Sequence, residues 1–219
     1  MPASSVGQRI RDERLKRGMS LRALARAVGV SPSLISQIET AKSQPSVSTL
    51  YAITTALGMS VQDAFTEPTA AAEVAPEVTR REVPLAGNHA VITMLEALRS
   101  PRGGDRLGPL VRPAERPVLT LDSGVTWERL GVLPGHDTEF LLVTYAPGGS
   151  SSSTGELMRH PGSEFGLMLR GELVLTLGFE ELVLRPGDSV SFDSTTPHRY
   201  RNDGVDPAVG VWFVIEEPH

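Results

Sequence analysis

The sequence predicts a two-domain protein of the α plus all-β class: five short helices in the first third, then an antiparallel barrel or sandwich. Three observations carry this. Apolar residues recur at helical spacing as far as Phe65 and alternate with polar ones from Pro117 onward, which separates a helical domain from a domain of strands. Between the two, Glu67–Glu77 reads EPTAAAEVAPE, an alanine- and proline-rich linker. Charge also changes sign across it. Through Thr66, eight basic residues (Arg9, Arg11, Arg14, Lys16, Arg17, Arg22, Arg26 and Lys42) face Asp12, Glu13, Glu39 and Asp63, a net +4, so the chain's overall −5 leaves −9 for the remainder. A basic module joined to an acidic one suits a nucleic-acid contact confined to the first domain.

Helix by helix, Val6, Ile10 and Leu15 mark the first, stopped by Gly18. In the second, Leu21, Leu24, Ala25 and Val28 form one apolar face, and Gly29 supplies the positive φ of a tight turn. Ser31 and Pro32 then start the third as N-cap and first helical residue. Met19 ahead of Ser20, and Val30 ahead of Ser31, can staple to Leu24 and Ile35. Val47, Leu50, Ile53 and Leu57 give a fourth helix closed by Gly58, and Ser60 with Asp63 forms a capping box for a fifth carrying Phe65.

One stripe is unexplained by packing. Leu34, Ile35 and Ile38 of the third helix point to a core, whereas Ser33, Ser36, Gln37 and Thr40 fall at i, i+3, i+4, i+7 on the opposite side. All four are uncharged hydrogen-bonding residues. A helix facing only water carries Lys and Glu there, whereas one lying in the DNA major groove needs short donors and acceptors that reach base edges.

Residues 6–66 resemble the phage-repressor-like helix-turn-helix domain of the xenobiotic-response-element family of bacterial regulators. The resemblance implies that Ser33, Ser36 and Gln37 face bases, with Thr40 completing the stripe, and that Ser20, Arg22, Lys42, Ser43 and Gln44 contact phosphates of an operator. It also implies a scaffold pair between Arg14 and Glu39. Ala41 departs from the family, which commonly has glycine there, so a less sharply turned loop is expected after the recognition helix.

Residues 67–116 form a linker and a connecting region. Within it VITMLEAL at 91–98 fits a strand or a short helix, and SPRGGDRLGP an exposed loop. From Pro117 to His219 the segments PVLTL, VTWERL, EFLLVTY, EFGLML, ELVLTL, ELVL, SVSF and VGVWFVI read as strands. FGLML and VGVWFVI are apolar on both faces, so their outer side calls for a cover, most simply a second copy of the chain. GGSSSS at 148–153 fits a flexible loop at the barrel mouth or a long hairpin turn.

MRHPGSEFGLMLRGELVLTLG at 158–178 and RPGDSVSFDSTTPHRYRN at 185–202 resemble the two motifs of the cupin family, small double-stranded β-helices that hold a divalent metal inside the barrel. By position the resemblance makes His160, Glu164 and His198 metal ligands. Met158 stands where a fourth, a histidine, is usual, and a thioether is a poor ligand for a hard or borderline dication. The site would then hold one divalent ion (Fe, Mn, Zn or Ni) or, as a relic, none. Strand alternation puts Gly166 and Met168 beside Glu164, and Tyr200 beside His198, so that with Met158 these line an effector pocket.

The leading expectation is therefore a homodimeric regulator that binds operator DNA and senses a small molecule through its cupin. The rival is an oxidase like the hydroxypropylphosphonate epoxidases, which pair the same two domains and use a cupin iron held by two histidines and a glutamate. The uncharged stripe favours the regulator, since an enzyme has no need of it. The chain has no cysteine, which excludes disulfides and thiolate metal sites. The first residues, MPASSVGQRIRDERL, lack the apolar run of a signal peptide, and no later segment approaches a membrane span, so a cytoplasmic protein with no membrane contact is expected.

Overall fold

The computed structural model describes residues 6–65, 110–132, 136 and 138–215. The expectations for residues 67–109, VITMLEAL among them, lie outside the described residues.

The helical domain consists of α1 (Val6–Lys16), α2 (Leu21–Val28), α3 (Pro32–Glu39) and α4 (Val47–Leu57). Ser20, Ser31 and Ser46 cap the last three, each side chain accepting from a backbone N–H of the first turn. Gly29 and Gly58 end α2 and α4 in the left-handed region. Leu24, Ala25, Ile35, Ile38, Leu50, Ile53, Leu57 and Phe65 are buried in the core between them. At Gly7 the crossing of α1 over α3 is so close that a Cβ would lie 1.9 Å from the Ile38 carbonyl oxygen.

The expectation of five helices is corrected to four α-helices among the described residues. Ser60 and Asp63 do form the capping box, but it closes on a single 3-10 turn, Val61–Ala64, and Phe65 is already extended. With Phe65 extended, its ring lies against Trp127 of the second domain, and four residues are too few to complete an α-helical turn of hydrogen bonds.

Among the described residues nine strands follow: β1 (Val118–Leu121), β2 (Val125–Gly131), β3 (Thr138–Tyr145), β4 (Ser163–Arg170), β5 (Leu173–Leu177), β6 (Glu180–Leu184), β7 (Ser189–Asp193), β8 (His198–Arg201) and β9 (Ala208–Ile215). Six pair in the order β1-β2-β3-β9-β4-β7 and three in the order β6-β5-β8, and every pairing is antiparallel. The eight strand segments read from the sequence are all present. The ninth, β8, is HRYR, within the second cupin-like motif. His198 and Tyr200 are buried while Arg199 and Arg201 are only half-buried.

β4 and β9 alternate strictly. Glu164, Gly166 and Met168 face inward opposite Phe165 and Leu167, and Trp212 and Val214 face inward opposite Phe213 and Ile215. Their apolarity on both faces thus resolves into an inner core and an outer band of exposed Phe140, Phe165, Leu167, Phe213 and Ile215 on adjacent strands, with Phe140 paired to Phe213 and Phe213 to Phe165.

The serine run is not a flexible loop. Ser151 and Ser152 are buried, and Ser151 N–H donates to the Tyr200 carbonyl (2.9 Å) while its hydroxyl accepts from Tyr200 N–H (3.0 Å). Its carbonyl in turn accepts from Ser48 N–H at the start of α4 (3.0 Å). The run therefore joins β8 to the helical domain. Asp122 N–H donates to the Pro45 carbonyl (2.9 Å) at a second joint.

Candidate functional site

Behind the exposed stripe of α3 lies a buried ion pair. Arg14 on α1 reaches Glu39, the last residue of α3, with Nε 2.6 Å from Oε1 and Nη2 2.8 Å from Oε2, and its Nη1 donates to the Met19 carbonyl (2.8 Å). The Glu39 hydrogen bond raises the Arg14 pKa against the opposing effect of burial. The C-terminal end of α3 is thereby tied to both α1 and the start of α2.

On the opposite side of α3, Ser33, Gln37 and Thr40 are exposed and Ser36 is half-buried. The Gln37 side-chain amide has no hydrogen-bond partner among the described residues, so both its donor and its acceptor can meet a base edge. Thr40 differs from the rest of the stripe, because its hydroxyl donates to the Ser36 carbonyl (2.8 Å) and serves the end of the helix. Ser20 and Arg22 lie exposed at the start of α2. Lys42, Ser43 and Gln44 follow α3, with Lys42 N–H (2.8 Å) and Ser43 N–H (3.2 Å) both donating to the Gln37 carbonyl. The loop is as sharply turned as glycine would make it, contrary to expectation. Ala41 adopts φ 55° and supplies the left-handed residue itself.

In the barrel, His160, Glu164 and His198 come together, all buried, with their ligand atoms within 4.8 Å of one another. Glu164 Oε1 lies 2.9 Å from His160 Nε2 and 3.0 Å from His198 Nε2. The other ring nitrogens face carbonyls, His160 Nδ1 that of Pro161 (3.3 Å) and His198 Nδ1 that of Thr196 (2.8 Å). A carbonyl oxygen can only accept, so each Nδ1 carries a hydrogen, and each neutral ring turns its Nε2 lone pair toward the carboxylate. Three acceptors aimed at one spot require a positive charge there, either imidazolium protons or a divalent ion. Carbonyl partners on the far nitrogens are also what orient histidine ligands in metal sites. The three residues fit a divalent metal.

Burial opposes ionisation of Glu164, but the hydrogen bonds and charges of His160 and His198 outweigh it and hold the carboxyl pKa at about 2. For His198, burial disfavours the charged form, yet the hydrogen bond and charge of Glu164 raise its pKa above the ordinary imidazole value. The second carboxylate oxygen is held from the other side. Tyr200 donates to Glu164 Oε2 (2.9 Å), and Trp212 Nε1–H donates to the Tyr200 oxygen (3.2 Å). Burial first, then the Glu164 charge, keep the Tyr200 phenol protonated and able to donate.

Above this network is a small cavity lined by Trp127, Leu141, Val143, Tyr145, Met158, Glu164, Tyr200, Trp212 and Val214 of the barrel and by Val47 and Tyr51 of α4. Met158 and Tyr200 line it as the sequence suggests. Gly166 and Met168 do not. A Cβ on Gly166 would fall 2.9 Å from the Trp212 ring, so the indole covers that strand, and Met168 is packed in the core beyond. The sequence reading missed Tyr51, Trp127 and Trp212. For Tyr51 a signal exists: it follows Val47 by four residues, a second stripe on α4 beside the domain's own core stripe.

A helix-turn-helix family model matches residues 10–63, and a cupin domain model matches residues 141–214. The chain thus joins a helix-turn-helix domain to a C-terminal cupin domain and is similar to transcriptional regulators. The HTH-type transcriptional regulator PuuR of Escherichia coli (strain K12) is 26% identical to it over 196 residues, 90% of this chain and 86% of that protein. The PuuR of Shigella flexneri matches to the same extent. An HTH_3 family transcriptional regulator from Vibrio cholerae shares the fold at a TM-score of 0.61, with 18% identity over 98% of this chain and 97% of that one. Among the described residues, no helix is long and apolar enough to cross a membrane.

Proposed function

We propose that the protein is a homodimeric, cytoplasmic regulator that recognises an operator through α3 and senses a small molecule in the cupin, with domains at 6–66 and 117–219. The observation that carries the DNA reading is the exposed, unpartnered amide of Gln37 beside Ser33 on a helix anchored from behind by the Arg14–Glu39 pair. Ser33, Ser36 and Gln37 would meet bases, and Ser20, Arg22, Lys42, Ser43 and Gln44 would hold phosphates. The net +4 of this domain supports the assignment.

Dimerisation is supported by the outer band of Phe140, Phe165, Leu167, Phe213 and Ile215, which a second copy would cover about a twofold axis. Such a pair would present two recognition helices to half-sites about one DNA turn apart. His160, Glu164 and His198 would hold Fe, Mn, Zn or Ni. The ion would supply a Lewis-acidic centre with open positions to which an effector could bind.

The test is binding of the full chain to DNA upstream of its own gene, against scrambled DNA, over a salt series with and without a chelator. Binding that distinguishes the sequences and weakens with salt supports the regulator, and a chelator effect brings the metal into the switch.

A second reading, a non-haem iron oxidase, is favoured by one observation: the set is two histidines and one carboxylate. Iron-dependent oxygen uptake that disappears in Glu164→Ala would establish it.

A further inference from the structure

We propose that the cupin pocket is a composite site whose wall is the DNA-binding domain itself. Tyr51 closes it, so that a docked helical domain and a small molecule larger than one water exclude one another. The occupant would have a planar or apolar body and one hydrogen-bond donor directed at Glu164. Its consequence for transcription rests on the sensor reading above, whereas the exclusion rests on geometry alone.

Tyr51 belongs to α4, yet its ring stacks on His160 of the barrel, with centroids 4.0 Å apart and planes 3° apart. Its edge meets Trp127 at 6.1 Å, and its hydroxyl donates to buried Glu139 Oε2 (3.3 Å). The ring of a helix that packs against α1 and α2 of the DNA-binding domain therefore lies face to face with one of the three residues fitted to hold a metal. With Tyr51 in place the cavity is about 20 Å³, which admits one water-sized group. The remaining walls are Trp127, Tyr145, Tyr200 and Trp212 with aliphatic side chains, a lining suited to a flat organic molecule. Of the barrel residues, Trp212 cannot recede, because its ring is already against Gly166 and Gly210, where a Cβ would come within 2.9 and 2.3 Å of it.

The helical side can recede as a body. It is joined to the barrel by a short series of contacts: the backbone hydrogen bonds of Ser48 to Ser151 and Asp122 to Pro45, the Gln62 amide to the Thr138 carbonyl (2.5 Å), and Phe65 between Trp127 and Arg129, whose guanidinium lies 5.0 Å over its ring. A ligand that takes the place of the Tyr51 ring on His160 would press on α4 and so shift the helix that follows the recognition loop. Population shift needs only that the ligand prefer the open arrangement.

The test uses phenol, the free counterpart of the Tyr51 side chain, on the full-length protein without DNA or metal. The chain has no cysteine, so nitroxides at Arg26→Cys and Phe179→Cys, both exposed, report the distance between the domains. Tyr51→Ala should bind phenol at least tenfold more tightly than the parent, because the slot is vacant. Tyr51→Val opens the same slot with less loss of packing and should behave alike, while Tyr51→Phe, which keeps the stacked ring, should match the parent. Where phenol saturates the parent, the interdomain distance distribution should broaden. Equal affinities in the parent and both opened variants, no binding to any of them, or a parent distribution unchanged at saturation would each overturn the proposal. Because no operator is involved, failure of the regulator reading leaves these readouts intact, and failure here leaves operator binding intact.

Discussion

Arg14 and Glu39 form a two-point bridge across 25 residues of sequence, with only 8% and 4% of their side chains exposed. Removing one partner strands the other charge in the core. Glu39→Ala should therefore cost about 3–5 kcal/mol in urea unfolding of the full chain, whereas Arg14→Met with Glu39→Leu, which removes both charges, should cost much less. A single substitution that costs under about 1 kcal/mol would mean that the bridge does not fix the recognition helix.

The helical domain was legible because its signals are local. Ser20 and Ser31 act on the next few residues, and Gly18, Gly29 and Gly58 adopt the positive φ that their positions require. The His160, Glu164 and His198 cluster was legible through the resemblance to the cupin motifs, although its members come from two strands and a loop. The reading failed where a residue's partner lies in the other domain. Nothing near Phe65 states that its ring will sit on Trp127 rather than continue a helix, and nothing near Tyr51 names His160. Gly166 looked like a pocket residue because alternation gives direction but not what stands in front, here the Trp212 ring.

Ala41 supports a prediction of opposite sign. At φ 55° an alanine pays for its Cβ by about 1 kcal/mol or more, and glycine would remove that strain at a smaller loss of chain entropy. Ala41→Gly should stabilise the protein by about 0.5–1 kcal/mol, read as a higher urea midpoint at unchanged slope. A lower midpoint would show that the φ is set by contacts of the methyl group and not merely tolerated.

Base contact and phosphate contact separate by their salt dependence. Gln37→Ala should weaken binding to the operator by about 1–3 kcal/mol and leave scrambled DNA nearly unchanged. Lys42→Ala should weaken both alike and lower the salt slope by about 1. If Gln37→Ala lowered both affinities equally, α3 would not be reading bases.

Glu164 stands between the two histidines, which makes it the residue to remove in a test of the proposed metal site. Glu164→Ala should abolish uptake of Co²⁺ or Fe²⁺, measured by metal content after dialysis, while Met158→His, which supplies a fourth ligand and third nitrogen, should increase retention. The fold itself should survive in Met158→His, since Met158 is joined to His198 through backbone bonds (2.8 Å each way) and not through its thioether. Metal retained by Glu164→Ala would refute the ligand set.

The outer band separates the dimer from the monomer. Phe213 lies between Phe140 and Phe165 in register, its ring 6.2 Å from that of Phe140, so a charge there breaks the band at its centre. Phe213 is 37% exposed in a single chain and faces away from the core, which means that Phe213→Glu should leave the fold's stability close to the parent's. In a dimer the same carboxylate would be buried without a partner, a cost large enough to dissociate it. Sedimentation should then show a monomer that binds a single half-site far more weakly than the parent binds the full operator. Phe213→Glu that still sediments as a dimer would place the interface on another surface of the chain.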